Sequence, residues 1–339
     1  MNFSFHKVSL QQKIISAVIL FSLNSSAQTK SYVDDSISGY RGGYIKNLKV
    51  PDNALNFLVI GDWGRCGEFY QKEVAAQMAK AAVSGDAAFI ISTGDNFYPK
   101  GVASINDPLW ENSYEDIYHQ FSLHNDWYVV LGNHDYRLNP QAEVDYTKKS
   151  ARWNMPSRYY AIKKNIDDDT TQKVLFVFID TNPLIDKYYS DPDYSRQVRE
   201  QDSTLQKQWL IRTLSDPDPS IRWRFVVGHH PLYTSGKRIK SAETLQFRKS
   251  MEGVFIKYKV DAYFCGHEHQ LEYIKPEGAT HHFISGSGSE VRDVKGSLPE
   301  SIFKASEHGF ILFSVTSKSL KLQAINWEGK ILHEKTIER

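Results

Sequence analysis

Leu55-Asn56-Phe57-Leu58-Val59-Ile60-Gly61-Asp62 is a largely apolar run of strand length that stops abruptly on a glycine and a carboxylate. The same phrase recurs along the chain. Phe89–Ser92 runs into Gly94-Asp95, residues 128–131 into Gly132-Asn133, residues 225–227 into Gly228-His229, and Ala262–Cys265 into Gly266-His267. Residues 174–179 end on Asp180. Short continuous apolar runs are the mark of strands buried on both faces. Helical periodicity lies between most of them, over about 68–83, 203–214 and 242–258. The repeated unit is therefore strand, glycine, polar residue, loop, helix, and the fold class is α/β. In such folds the loops at the C-terminal ends of the strands carry the site. After Gly266 the pattern changes to short or alternating runs at 271–274, 282–285, 310–315, 320–325 and 331–335, with Glu328-Gly329 as a turn; this predicts an antiparallel β tail.

The 339 residues suffice for one large α/β domain or two small ones. With 41 Lys plus Arg against 40 Asp plus Glu, there is no strong field to attract nucleic acid or an anionic membrane. Lys7 and Lys13, the apolar stretch 14–23, and Ser25-Ser26-Ala27 before Gln28 read as a signal peptide over residues 1–27. The apolar stretch is about half the ~20 residues that a membrane-spanning helix needs. Export to the periplasm or medium after cleavage near Ala27 is expected, with no membrane span and a monomeric product. Losing Lys7 and Lys13 takes the formal charge from +1 to −1. Residues 28–53 are polar and rich in Gly and Ser, and are expected to be a loose mature N-terminus ahead of a domain at 54–339. Cys66 and Cys265 are the only cysteines, and a disulfide and two free thiols are equally compatible with the sequence. Asp167-Asp168-Asp169 reads as a solvated loop.

Each glycine-plus-polar segment alone could be an ordinary turn. Five of them, each behind an apolar run, over roughly 200 residues, are not explained that way. They deliver Asp62, Asp95, Asn133, His229, His267 and His269 to one edge of the fold. Carboxylates, an amide oxygen and imidazoles suit two metal ions ~3.5–4 Å apart, which can hold the attacking and leaving oxygens of a phosphoester together. Ions so close need an anion between them, and Asp95 is the candidate bridge. Water on such an ion loses its proton near neutral pH instead of at ~15.7, and the hydroxide attacks phosphorus in line. Magnesium fits poorly, because it prefers oxygen ligands and retained waters. His267 and His269, at i and i+2, would share one face of an extended segment, with Glu268 on the other. Tyr98 follows Asp95 by three residues. With an unperturbed pKa of ~10, its phenol needs a strongly Lewis-acidic ion to become a ligand at low pH, and spacing alone favours a packing aromatic.

The set Gly61-Asp62-Trp63-Gly64, Gly94-Asp95-Asn96-Phe97-Tyr98, Gly132-Asn133-His134-Asp135-Tyr136, Gly228-His229-His230 and Gly266-His267-Glu268-His269-Gln270 resembles the calcineurin-like metallophosphoesterases. More narrowly it resembles the small, tartrate-resistant type of purple acid phosphatase, over nearly the whole of 54–335. The resemblance implies two packed mixed β-sheets flanked by helices. It implies iron(III) on Asp62, Asp95, Tyr98 and His269, and a divalent ion (zinc, iron or manganese) on Asp95, Asn133, His229 and His267. His134 would touch the phosphate or protonate the leaving alkoxide, held by Asp135 or a nearby acid. The mammalian-type enzymes carry a further histidine in the loop after Gly228-His229. Here that loop reads Pro231-Leu232-Tyr233-Thr234-Ser235-Gly236-Lys237-Arg238, without one. Acid function then falls to His134 or His230, and Lys237 or Arg238 either binds phosphate or is solvated. His281 and His282 line the pocket, belong to a strand or lie at the surface; His119 and His124 are expected at the surface or on a helix. The expected activity is hydrolysis of a small phosphate monoester. A phosphodiesterase or nucleotide hydrolase on the same centre, and a metal-containing binding protein without turnover, are the competing readings.

Overall fold

The structure is a computed structural model and describes residues 42–339. The expected signal peptide lies outside the described residues. Fourteen strands form two mixed sheets of seven. They are β1 (Leu55–Ile60), β2 (Phe89–Ser92), β3 (Asp126–Val129), β4 (Trp153–Asn154), β5 (Tyr160–Ile166), β6 (Asp169–Phe178), β7 (Ile221–Val227), β8 (Ala262–Cys265), β9 (Leu271–Ile274), β10 (His281–Ser285), β11 (Ser301–Ala305), β12 (Gly309–Val315), β13 (Ser319–Asn326) and β14 (Ile331–Glu338). The first sheet runs β14-β13-β12-β1-β2-β3-β4 and the second β11-β9-β10-β8-β7-β6-β5. β1 to β4 pair in parallel, as do β6, β7, β8 and β10. Parallel pairing sends the C-terminal ends of neighbouring strands to one edge, and both sheets do this.

The sheets are locked by aromatics. The ring of Phe57 on β1 lies 5.1 Å from Phe89 and 5.5 Å from Phe313 in its own sheet. It meets Phe176 at 5.3 Å and Phe264 at 5.9 Å edge-on from the other sheet. Helix α1 (Gln71–Ser84) buries Val74, Ala75, Met78, Ala81 and Ala82, an i, i+3, i+4 stripe that covers β1 and β12. Next come the short helices α2 (Pro140–Tyr146) and α3 (Ser195–Arg199). Helix α4 (Ser203–Leu214) starts at Asp202, whose carboxylate accepts the amides of Thr204 and Leu205. Helix α5 (Ala242–Lys257) starts at Ser241, whose hydroxyl accepts the amide of Thr244, and packs Phe247 and Phe255 near Tyr263 of β8.

Three strands were not expected from the sequence. β5, Tyr-Ala-Ile-Lys-Lys-Asn-Ile, and β11 are edge strands with mostly half-exposed side chains, so their apolar signal is weak. β4 has only two residues. Asp167 and Asp168 form the β5–β6 turn, with Asp167 at φ 54°, and Asp169 already pairs with Ile166. Within the described part of the expected loose N-terminus, Ile45, Leu48 and Val50 pack against the core. Ile45 is buried and its amide donates to Ser84 Oγ, while the carbonyl of Lys49 accepts from Gln323 Nε2 at 3.0 Å. Sequence polarity hid this, because the segment is held by backbone groups. Cys66 and Cys265 are free, with Cys66 beside Ser113 and Cys265 buried beside the carbonyl of Phe283.

Candidate metal centre

The site stands where β1, β2 and β3 of one sheet end opposite β7 and β8 of the other. Asp62, Asp95 and His267 leave their strands with φ of 57°, 52° and 69°. Left-handed backbone on non-glycine residues costs on the order of 1 kcal/mol or more each and persists only where the surroundings fix it. Residues 266–270 are not extended as expected. The amide of Glu268 donates to the carbonyl of Gly266, and that of Gln270 to Glu268, so consecutive tight turns bring both histidine rings to the centre. Gly266 and Gly132 permit the close approach. A Cβ on Gly266 would stand 2.3 Å from Asp62 Oδ2, and one on Gly132 2.2 Å from both the amide nitrogen and Oδ1 of Asp95.

Two ligand groups result, and Asp95 belongs to both. The hydroxyl of Tyr98 is 3.1 Å from Asp62 Oδ1, 3.0 Å from Asp95 Oδ2 and 3.2 Å from His269 Nε2. It has one proton to give to these three acceptors. On the other side His229 Nε2 is 3.4 Å from Asp95 Oδ1, 3.3 Å from Asn133 Oδ1 and 3.2 Å from His267 Nδ1. His229 Nδ1 is used on the carbonyl of Thr93 at 2.9 Å, and His267 Nε2 on Glu243 Oε1 at 2.5 Å. The remaining ring nitrogens therefore present lone pairs to oxygen lone pairs. The amide of Asn133 is turned by its Nδ2, which donates to Tyr194 OH, itself fixed by Arg137. Its Oδ1 is left facing the centre. Acceptors converging on acceptors, all buried, are unstable unless a cation sits among them, so the residues fit metal ions.

The electrostatics agree. Burial pushes the Asp62 carboxyl up to about 7, and the charge of Asp95 adds to it. Burial also holds His267 and His269 below the usual imidazole range, to about 3 for His269, so both are neutral donors. Burial, then Asp62 and Asp95, drive the Tyr98 phenol well above its ordinary value, and a multivalent cation reverses that pressure.

The three expected catalytic residues differ. His134 is partly exposed at the mouth, its ring 4.4 Å from that of Tyr98. Its Nδ1 bonds the carbonyl of Pro99 at 2.7 Å, and Nε2 lies 3.9 Å from Asp95 Oδ2. Asp135 does not hold His134. It is fully buried and accepts the amides of Asn96, Phe97 and Gly132, which ties the loops after β2 and β3 together. His230 does not face the mouth either. It is buried behind the centre between Thr181 Oγ1 at 2.7 Å and Tyr188 OH at 2.8 Å. His281 and His282 lie in β10, and His119 and His124 are exposed. Glu243, Tyr194 and Arg137 were not found from the sequence. They sit on α5, at the entry to α3, and in the turn after Asn133, with no glycine-plus-ligand phrase to mark them.

Residues 55–271 match the family model of the calcineurin-like phosphoesterases. The chain is 35% identical over 302 residues to purple acid phosphatase 7 of Arabidopsis thaliana, covering 86% of this chain and 88% of that one. It is 31% identical over 305 residues to tartrate-resistant acid phosphatase type 5 of Homo sapiens, covering 84% and 91%. Among solved structures, GAP50, the anchor in the inner membrane complex of Plasmodium, superposes with a TM-score of 0.72 at 24% identity over 86% of this chain and 89% of that one. The purple acid phosphatase PPD1 of Lupinus luteus does so with 0.62 at 16% identity over 88% and 55%. Both superpositions show the shared fold. Strand-end ligands, two facing mixed sheets and these relatives agree, and the chain belongs to the calcineurin-like metallophosphoesterases as a metal-dependent phosphoester hydrolase related to the purple acid phosphatases.

Proposed function

We propose that the chain is an exported dinuclear acid phosphatase that hydrolyses small phosphate monoesters. The observation that carries this is the double set of lone-pair donors hinged on Asp95, with Oδ2 turned to Tyr98 and Oδ1 to His229. Asp62, Asp95, Tyr98 and His269 are assigned to iron(III), and Asp95, Asn133, His229 and His267 to zinc, iron or manganese. When bound, the two ions supply Lewis acidity toward the phosphoryl oxygens and the attacking water. The chain does the rest. The amide of His134 donates to Asp95 Oδ1 at 2.8 Å and fixes the shared carboxylate. Because the Pro99 carbonyl engages Nδ1, Nε2 is the ring nitrogen of His134 left at the mouth. There it pairs with a phosphate oxygen and passes a proton to the departing alkoxide. Asp135 and His230 position the loops and do not meet substrate.

Metal analysis with a visible spectrum, on protein recovered from its native compartment, tests the centre. The expected result is one iron with one further ion, a purple colour, and loss of that colour in Tyr98→Phe. An iron-free, colourless and active wild type would remove the iron assignment. Turnover of an aryl phosphate monoester well above that of the matching diester is expected, and the reverse order would favour the phosphodiesterase reading. Export is supported by Lys7, Lys13 and the apolar stretch 14–23, and N-terminal sequencing should begin at Gln28. The proposed domain is 54–339, with residues 45–50 packed against it.

A further inference from the structure

Four cations gather on the His267–His269 side of the centre. Arg238 Nη1 donates to the carbonyl of His267 at 3.1 Å, and the amide of Arg292 donates to that of His269 at 3.0 Å. Each arginine is thus rooted on the backbone of a proposed ligand. The Arg65 guanidinium carbon lies over the Tyr98 ring, 3.8 Å from its centroid. Lys237 is exposed, and among the described residues its ammonium has no hydrogen bond or ion pair. The loops that carry Lys237 and Arg292 meet, since a Cβ on Gly296 would stand 2.2 Å from the carbonyl of Ser235.

The nearby carboxylates do not balance these charges. Glu268 is 3.3 Å from Arg238 Nη1, and Glu290 is 2.5 Å from Arg65 Nη2 and 4.0 Å from Arg292 Nε. Glu243 also acts on Arg238 but is itself paired with Lys187, so with these two included five cations face three carboxylates and an excess of two positive charges remains. Arg292 Nη1 and Arg65 Nε are buried without a hydrogen-bond partner. The crowding is felt by Lys237, which the charge of Arg292, then burial and Arg238, hold below the usual lysine range. Like charges held together next to a low-dielectric wall concentrate anions. An excess of two matches a phosphate dianion, and the part-exposed guanidinium of Arg292, only loosely engaged by Glu290 at 4.0 Å, suits its oxygens.

We propose that Lys237 and Arg292, backed by Arg238, form a second anion site beside the metal centre, and that it selects small phosphoesters carrying a second phosphate group. This rests on the phosphatase reading above and names its substrate class. One phosphate occupies the centre while the other docks on the two loops. Because both arginines are rooted on the ligand segment itself, a short linker between the phosphates spans the two positions.

The test uses the full metal-loaded chain and three matched probes: propyl phosphate, propane-1,3-diol bisphosphate, and the phosphate ester of 4-hydroxybutanoate. The wild type is expected to favour the bisphosphate over propyl phosphate by about tenfold in kcat/KM, through KM. The carboxylate ester should fall between them. In Lys237→Ala/Arg292→Ala the bisphosphate-to-propyl ratio should drop toward one, and Lys237→Arg should keep it. A wild-type ratio near one, a ratio that survives the double substitution, or a carboxylate ester as good as the bisphosphate overturns the proposal. A wild type that hydrolyses none of the three, nor an aryl monoester, overturns the phosphatase reading with it. Good turnover of propyl phosphate at a ratio near one overturns only the second anion site.

Discussion

Glu243 shows how much of the centre depends on residues that do not reach it. Its Oε1 accepts from His267 Nε2, its Oε2 pairs with Lys187, and His230 Nε2 lies 3.7 Å away. The contact fixes the tautomer of His267 and so decides that Nδ1 faces His229. A carboxylate behind a ligand imidazole also raises its basicity, and its removal commonly costs about 10–100-fold in metal affinity. Glu243→Gln should therefore weaken the proposed divalent ion by about that factor in a competition titration, while the proposed iron side, which Glu243 does not touch, should keep its visible band. Equal loss of both ions would point to a folding defect instead. Tyr194 plays the corresponding part for Asn133, since the Arg137–Tyr194 pair decides which end of the amide faces inward.

At the scale of elements, the site is a consequence of strands that stop on glycine. Gly132 follows β3, and its Cα lies against the Asp95 turn after β2. A methyl there would meet Asp95 Oδ1 and the Asp95 amide at 2.2 Å, with backbone atoms that cannot yield. Asp95 is the carboxylate both ligand sets share. Gly132→Ala should reduce kcat/KM by roughly a hundredfold, as a displacement near 1 Å does at a preorganised site, and lower occupancy of both metals with far-UV circular dichroism unchanged. Variant activity within a few-fold of wild type would show that the loop relaxes freely. These strand-end phrases were also what the sequence made legible. β1, β2, β8 and β9 lie where their apolar runs predict, and all seven proposed ligands fall at strand-end turns. What stayed hidden has a physical reason in each case. β5 and β11 are charged or half-exposed edges, and Glu243 and Tyr194 are ordinary polar residues whose partners come from other loops. Asp135 was misread because a Gly-Asn-His-Asp run says nothing about which carboxylate turns inward to cap backbone amides.

At the scale of the whole molecule, the second sheet carries a pH liability apart from the centre. His282 is buried on β10 with its ring 5.0 Å from Tyr233 and 6.0 Å from Tyr263, and its Nδ1 has no hydrogen-bond partner. Burial holds it down at about 3, with the charges of His281, Arg248 and Lys275 pressing the same way. Its neighbour His281 is held at about 4 by burial and Lys275. An unfolded histidine titrates near ~6.5. Above that value neither state binds the proton and the groups cost nothing. Between about 6.5 and the folded values the unfolded chain binds protons that the native chain refuses, so stability falls as pH falls. The slope reaches about 1.4 kcal/mol per pH unit for each such group. His267 and His269, also held low, add to it and couple it to metal release. His282→Phe places an aromatic ring in an aromatic setting and removes one titrating group that is no part of the centre. Urea midpoints measured from pH 7 to pH 4.5 at fixed metal should therefore decline less steeply in His282→Phe than in wild type, with the difference growing toward the acid end and vanishing above pH 7. Parallel declines would show that His282 does not set the acid limit. The steeper wild-type decline would place part of it in β10, a limit on how acidic a compartment this phosphatase can work in, set away from its chemistry.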